Sequence, residues 1–203
     1  ANEYEITDEQ ITLFCAVELA HLASLIHDDI IDEGQIRRGI STLNAQYNSK
    51  IAVLAGDYVL SMAFKKLLSL RNFEILDEFV ETFAQMSKGE IAQNNTLGKL
   101  TTFEEYLKKT EAKTARLFEA GLKSSAILAG ADIIKWGEIG YNFGMAFQIK
   151  NDLVDYLGSQ EDLKVGIYTA PAIIGVDETQ KLINNYLENM DENIKRIFQI
   201  KTV

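Results

Sequence analysis

Proline and cysteine each occur only once in the 203 residues. With so little proline, and no stretch rich in serine, glycine and proline, nothing reads as a linker, a low-complexity segment or an internal repeat, so a single domain over 1–203 is expected. The lone Cys15 lies in an apolar stretch, cannot form an internal disulfide and reads as a small core residue. Histidine is almost as scarce. His21 and His27 are the only two, six positions apart, which argues against a metal site built on histidines from several helices. Clusters of lysine and arginine long enough to track a phosphate backbone are also missing, and the formal net charge is −10, so a nucleic-acid surface is excluded. The apolar runs are broken by charges before eighteen residues, and Ala1-Asn2-Glu3-Tyr4 has no basic-then-apolar signal pattern. The expectation is a soluble, cytoplasmic chain with no stable membrane insertion.

What the sequence does contain is helical periodicity. Apolar residues recur at three and four through most of the chain, almost nothing alternates with period two, and the fold class read from this is all-α. Thr7 followed by Gln10, and Thr102 followed by Glu105, each form the pattern of a capping box. The spacing predicts helices over 8–33, 42–70, 73–95, 102–129, 133–158 and 177–199. Long helices with short connections favour a bundle of largely antiparallel neighbours, with functional side chains projecting into a central cavity.

Acidic residues gather at two places. In His21-Leu22-Ala23-Ser24-Leu25-Ile26-His27-Asp28-Asp29-Ile30-Ile31-Asp32, a helix puts Asp28 and Asp32 on one face with Asp29 beside them and His21 two turns earlier. Three carboxylates on so apolar a helix repel one another unless protons or cations neutralise them. Their hard oxygens select magnesium or calcium, and magnesium typically shares itself with phosphates. Just beyond stand Arg37-Arg38-Gly39, and paired guanidinium groups suit a diphosphate. The second place is Phe147-Gln148-Ile149-Lys150-Asn151-Asp152-Leu153-Val154-Asp155, where Gln148, Asn151, Asp152 and Asp155 share one side of a helix. Either run alone reads equally well as a solvated helix end. Together, facing each other, they would define one metal-filled cavity.

These motifs resemble the trans-type polyprenyl diphosphate synthases, and the resemblance runs over nearly the whole chain. The pattern HxxxLxHDDxxD followed by RRG reads from His21 to Asp32 and then Arg37-Arg38-Gly39, and FQxxDDxxD reads from Phe147 to Asp155 with one change. Ala52 to Tyr58, Gly89-Glu90-Ile91-Ala92-Gln93, Lys113-Thr114, Asp162-Leu163-Lys164 and Gly166 to Pro171 match further stretches. The resemblance implies a helical bundle of the isoprenoid synthase type with a central active-site cavity, and a prenyltransferase that joins an allylic diphosphate to isopentenyl diphosphate. It implies magnesium held by Asp28, Asp29, Asp32, Asn151, Asp152 and Asp155. Arg37 and Lys113 would grip the allylic diphosphate, Gln148 and Thr114 would support the reacting end, and His21 and Arg38 would seat isopentenyl diphosphate. A homodimer is the expected assembly.

In such enzymes, bulk just before the first aspartate motif stops product growth. Ala23 and Ser24 are small, so a product longer than farnesyl is expected. The chain departs from the pattern in beginning after the family's GKRxRP-like segment, in carrying Asn151 in place of an aspartate, in a shorter Gly158–Asp162 stretch, and in Ile167 where a lysine is common. Asn151 and the N-terminal departure motivate one alternative, a subunit of a heteromeric synthase that depends on a partner. A helical metal phosphohydrolase is disfavoured by its need for more histidines, and a terpene cyclase by the RRG pair and the second motif.

Overall fold

A computed structural model describes residues 6–37, 39–95 and 101–200. The chain groups into two compact units, Ala1–Leu76 and Asp77–Val203.

In the first unit, α1 runs over Asp8–Ile31 and opens with the predicted capping box. The Thr7 hydroxyl accepts from the Gln10 amide at 3.2 Å, and the Gln10 side chain accepts from the Thr7 amide at 3.0 Å. Asp8 and Glu9 in the first turn complement the helix dipole. After Asp32 the chain turns through Glu33, whose φ is 52°, into a hairpin of β1 (Ile36–Arg37) and β2 (Ile40–Ser41), with Gly39 at φ 78°. Two-residue strands are too short to show a period of two, and none was expected here. Next come α2 (Leu43–Gln46) and α3 (Ser49–Ser69).

The helix predicted over 42–70 is thus two helices. The Asn48 side chain accepts from the Ile51 amide at 3.0 Å, so a cap starts α3 where apolar spacing alone continued. Helices α1 and α3 pack along each other. Their buried residues are mostly small: Ala16, Ala20 and Ala23 on α1, and Ala52, Gly56 and Ala63 on α3. Among the described residues α1 is also the one helix long and apolar enough to cross a membrane by length and composition. The expectation that interrupting charges exclude such a helix is qualified here, because Glu18 alone interrupts the apolar run between Ile11 and His27.

Helix α4 (Phe73–Asn95) begins in the first unit and continues in the second, with the bounds the spacing predicts. The second unit continues with α5 (Phe103–Thr110), opened by the Thr102–Glu105 capping box, a π-helical turn over Glu111–Ala115, and α6 (Arg116–Ala129). Gly130, at φ 62°, ends α6. Asp132 caps α7 (Ile133–Leu157), whose bounds fall within one residue of the predicted helix. Short helices α8 (Glu161–Lys164) and α9 (Ala170–Ile174) follow, the latter with Pro171 in its first turn, where a missing N–H costs nothing. The helix predicted over 177–199 is again two, α10 (Val176–Leu187) and α11 (Glu192–Ile200). The break falls where the Asp191 carboxylate accepts from the Asn193 amide at 2.8 Å.

The core of this unit gathers Tyr106, Ala115, Met145, Ala146, Ile149, Leu153, Ala170, Ile183 and Phe198. Helix α7 lies close against α6 because Gly140 and Gly144 face it. A Cβ at Gly144 would lie 2.6 Å from the Ala115 Cα, and one at Gly140 would lie 2.6 Å from the Phe118 carbonyl oxygen. Beside this contact Phe118 packs on Phe143 and Phe147 with ring centroids 5.3 and 5.5 Å away.

Candidate functional site with an acidic cluster in each unit

The first cluster sits at the C-terminal end of α1. Asp28 and Asp29 occupy its last turn, and the Asp32 amide donates to the Asp28 carbonyl at 2.8 Å. The loop after them is folded back under the helix end. Thr42 Oγ1 donates to the Gly34 carbonyl at 2.7 Å, and Asn44 Nδ2 donates to the carbonyls of Gly34 and Asp29 at 2.9 and 3.1 Å. This fold-back, with the β1–β2 turn, brings Arg37 Nε to 2.7 Å from Asp29 Oδ1. Asp29 is the more enclosed of the two, and its charge is matched by a cation of its own chain. Arg38 lies outside the described residues.

His27 Nε2 lies 3.3 Å from Asp57 Oδ1 on α3, over Gly56, where a Cβ would come within 2.3 Å of the ring. This tie anchors the acidic end of α1 to α3. Gly56-Asp57 was the only sequence signal for it. His21 is exposed, Ala23 is buried, and Ser24 turns its hydroxyl back to donate to the His21 carbonyl at 2.8 Å.

The second cluster is built on α7. Asp152 is 5 % exposed. Its Oδ2 accepts from the Tyr106 hydroxyl at 2.6 Å and its Oδ1 accepts from Gln148 Nε2 at 2.7 Å. The Thr114 hydroxyl donates to Gln148 Oε1 at 3.0 Å. Thr114, Gln148 and Asp152 are therefore one hydrogen-bonded chain, whose first member stands in the π turn. Lys113, also in that turn, pairs with Glu90 on α4 at 2.7 Å. Asn151 is exposed. Asp155 accepts from the Ser159 hydroxyl and, at 3.2 Å, from the Asp162 amide. Asp162 is a member of the cluster that the motif reading left in a following loop.

Burial pushes the Asp152 carboxyl above the usual range, against the hydrogen bonds from Tyr106 and Gln148. Burial and then the Asp152 and Asp155 carboxylates push Asp162 up to about 6. Burial and the neighbouring Asp152 also lift the Tyr106 phenol well above its ordinary value. Burial is the largest cause of both upward shifts, and the nearby Lys109 offsets them only in part. Every donor in the two clusters is a carboxylate or amide oxygen, which suits a hard divalent cation. Among the described residues no three acids, histidines or cysteines gather closely enough to hold an ion unaided.

A family model described as polyprenyl synthetase matches residues 1–202. A decaprenyl-diphosphate synthase of Dictyostelium discoideum is 40% identical over 184 residues, covering 85% of this chain and 40% of that protein. The chain thus spans less than half the length of this relative. Among solved structures, octaprenyl pyrophosphate synthase from Helicobacter pylori is 32% identical with a TM-score of 0.79, over 99% of this chain and 70% of that one. Polyprenyl synthase from Caulobacter crescentus CB15, complexed with calcium and isoprenyl diphosphate, is 28% identical with a TM-score of 0.78, over 95% of this chain and 64% of that one. The all-helical fold described above is the fold of these neighbours. With both aspartate motifs in place and the match running through residue 202, the chain belongs to the polyprenyl synthetase family.

Proposed function

We propose that the protein couples an allylic diphosphate to isopentenyl diphosphate and releases a polyprenyl diphosphate longer than farnesyl. The observation that carries this reading is the hydrogen-bonded chain from the half-buried Thr114 through Gln148 to the buried Asp152, closed by Tyr106. A buried carboxylate fixed at both oxygens is held in one orientation, as a ligand for a cation on an anionic substrate must be. The calcium and isoprenyl diphosphate in the Caulobacter structure support that chemistry, and the length class is supported by relatives such as the decaprenyl-diphosphate synthase.

Asp28, Asp32, Asp152 and Asp155 would hold magnesium, with Asn151 adding an uncharged oxygen. Bound there, magnesium supplies Lewis-acid neutralisation of the departing diphosphate. Arg37 can offer the rest of its guanidinium to the diphosphate while Nε stays on Asp29, which also fixes its direction. Lys113 adds a second cation. Gln148 and Thr114, joined at 3.0 Å, would orient each other beside the carbon that becomes an allylic cation. The double bond of isopentenyl diphosphate then forms the new carbon–carbon bond, and a proton leaves to the diphosphate released. Ala23 and Ser24 leave room for the growing chain. The protein is proposed to act as a homodimer.

The test is to incubate the full-length protein with magnesium, farnesyl diphosphate and labelled isopentenyl diphosphate, resolving products by length. A ladder ending at one product beyond farnesyl, absent with Asp28→Ala, supports the reading. A folded protein that elongates nothing, alone or mixed with a partner subunit, refutes it.

A further inference from the structure

The chain carries a formal charge of −10, yet one cavity in the second unit is basic. It has a volume of about 350 Å³, within the range that takes small ligands. Lys88, Lys108 and Lys109 line it, against the single carboxylate of Glu105. Glu105 is already engaged, accepting from both the amide and the hydroxyl of Thr102 in the capping box of α5.

Among these lysines Lys109 stands apart. It is half-buried, one turn before Lys113 and three residues after Tyr106, which hydrogen-bonds Asp152. Its ammonium lies 6.0 Å from the Tyr106 ring centroid. Lys113 is tied to Glu90 at 2.7 Å and Lys108 to Glu104 at 2.8 Å. Lys109 has no hydrogen bond or ion pair with any described residue. Burial holds its ammonium below the usual lysine range, while the charges of Asp152 and Asp162 pull it back up. A half-buried ammonium that makes no direct ion pair keeps its donors unsatisfied, and an anion in the cavity would satisfy them. Ile167, where a lysine was expected, also lines the cavity, so the loop's missing cation has a counterpart on the helix.

We propose that Lys109 is a further substrate-binding residue, whose ammonium contacts a diphosphate group seated in this cavity beside the second acidic cluster. The inference rests on the synthase reading for the identity of the substrate, and on the cavity alone for the anion. Charge-assisted hydrogen bonds of this kind are the strong ones, because donor and acceptor are both ionised.

Binding of inorganic pyrophosphate with magnesium to the full-length protein, measured by calorimetry, tests the site without requiring turnover. Lys109→Met is expected to weaken binding about tenfold or more and to raise KM for the allylic diphosphate with little change in melting temperature. Lys109→Arg should restore most of both, and Lys109→Gln gives the same readout if the methionine variant folds poorly. Unchanged pyrophosphate affinity in a folded Lys109→Met protein overturns the proposal, even if the wild type elongates. A wild type that does not elongate but loses pyrophosphate on Lys109→Met keeps the site and sinks the synthase reading instead. A wild type that binds no pyrophosphate overturns the site.

Discussion

The Tyr106 hydroxyl and the Asp152 carboxylate, 46 positions apart in sequence, are joined by a buried 2.6 Å hydrogen bond. It fixes α5 to α7 at the acid that the second motif supplies. Tyr106→Phe keeps the ring and removes the donor, leaving a buried carboxylate short of one partner. The expected loss is about 1–3 kcal/mol of stability by denaturant titration, with a further rise in the Asp152 pKa. Tyr106→Phe with unchanged stability would show that the bond is not made in solution.

Asp162 yields a pH prediction. Its folded pKa of about 6 lies above the ordinary aspartate value of 3.8. Between those values the folded chain holds a proton that the unfolded chain has released, so stability falls as pH rises through that window. In chelator, the melting temperature should drop from pH 4 towards pH 6, and Asp162→Asn should flatten the slope. Magnesium should restore stability above that window and do little below it.

Two glycines facing other helices should respond differently to the same methyl group. At Gly144 the Cβ would meet the Ala115 backbone at 2.6 Å, which cannot yield without moving α6 from α7. Gly144→Ala should therefore cost about 1–3 kcal/mol in a denaturation midpoint. At Gly56 the clash is with the His27 ring, which can swing away. Gly56→Ala should cost no more than about 1 kcal/mol, the worth of an exposed pair. Its signature would be a shift in the His27 ring resonances as Asp57 is lost.

Asn151 brings an oxygen but no charge to the second cluster. Asn151→Asp should lower the magnesium concentration needed for half-maximal elongation, because a carboxylate binds a hard cation more tightly than an amide. A magnesium titration that does not move would place residue 151 outside the metal shell.

Much of the helical layout was legible before the structure. Both capping boxes, at Thr7 and Thr102, form as their sequences indicate, and α4 and α7 follow their apolar spacing almost to the residue. What was missed involves competition between side chain and backbone. Asn48 and Asp191 each start a new helix where the periodicity runs on, because a side-chain oxygen satisfies amides that a continuous helix would not expose. The roles of Tyr106 and Asp162 could not be read because their partners are distant in sequence or lie across a loop. Asp28, Asp32 and Asp152 stood out as candidates because the two acidic runs occur together, each with carboxylates at a three- or four-residue spacing among apolar residues.

The π turn over Glu111–Ala115 inserts one residue into an otherwise continuous α5–α6 rod. A regular helix through this stretch would rotate everything upstream by about 100° relative to α6. The turn therefore acts as a phase setter, letting one rod present Tyr106 and Lys109 to α7's acids and Phe118 to the aromatic contact beyond. A chain with Ala112 deleted would wind more regularly and bond its backbone better, yet aim those side chains at the wrong neighbours. The extra residue in this one rod is what lets it face the acidic cluster with one end and the aromatic contact with the other.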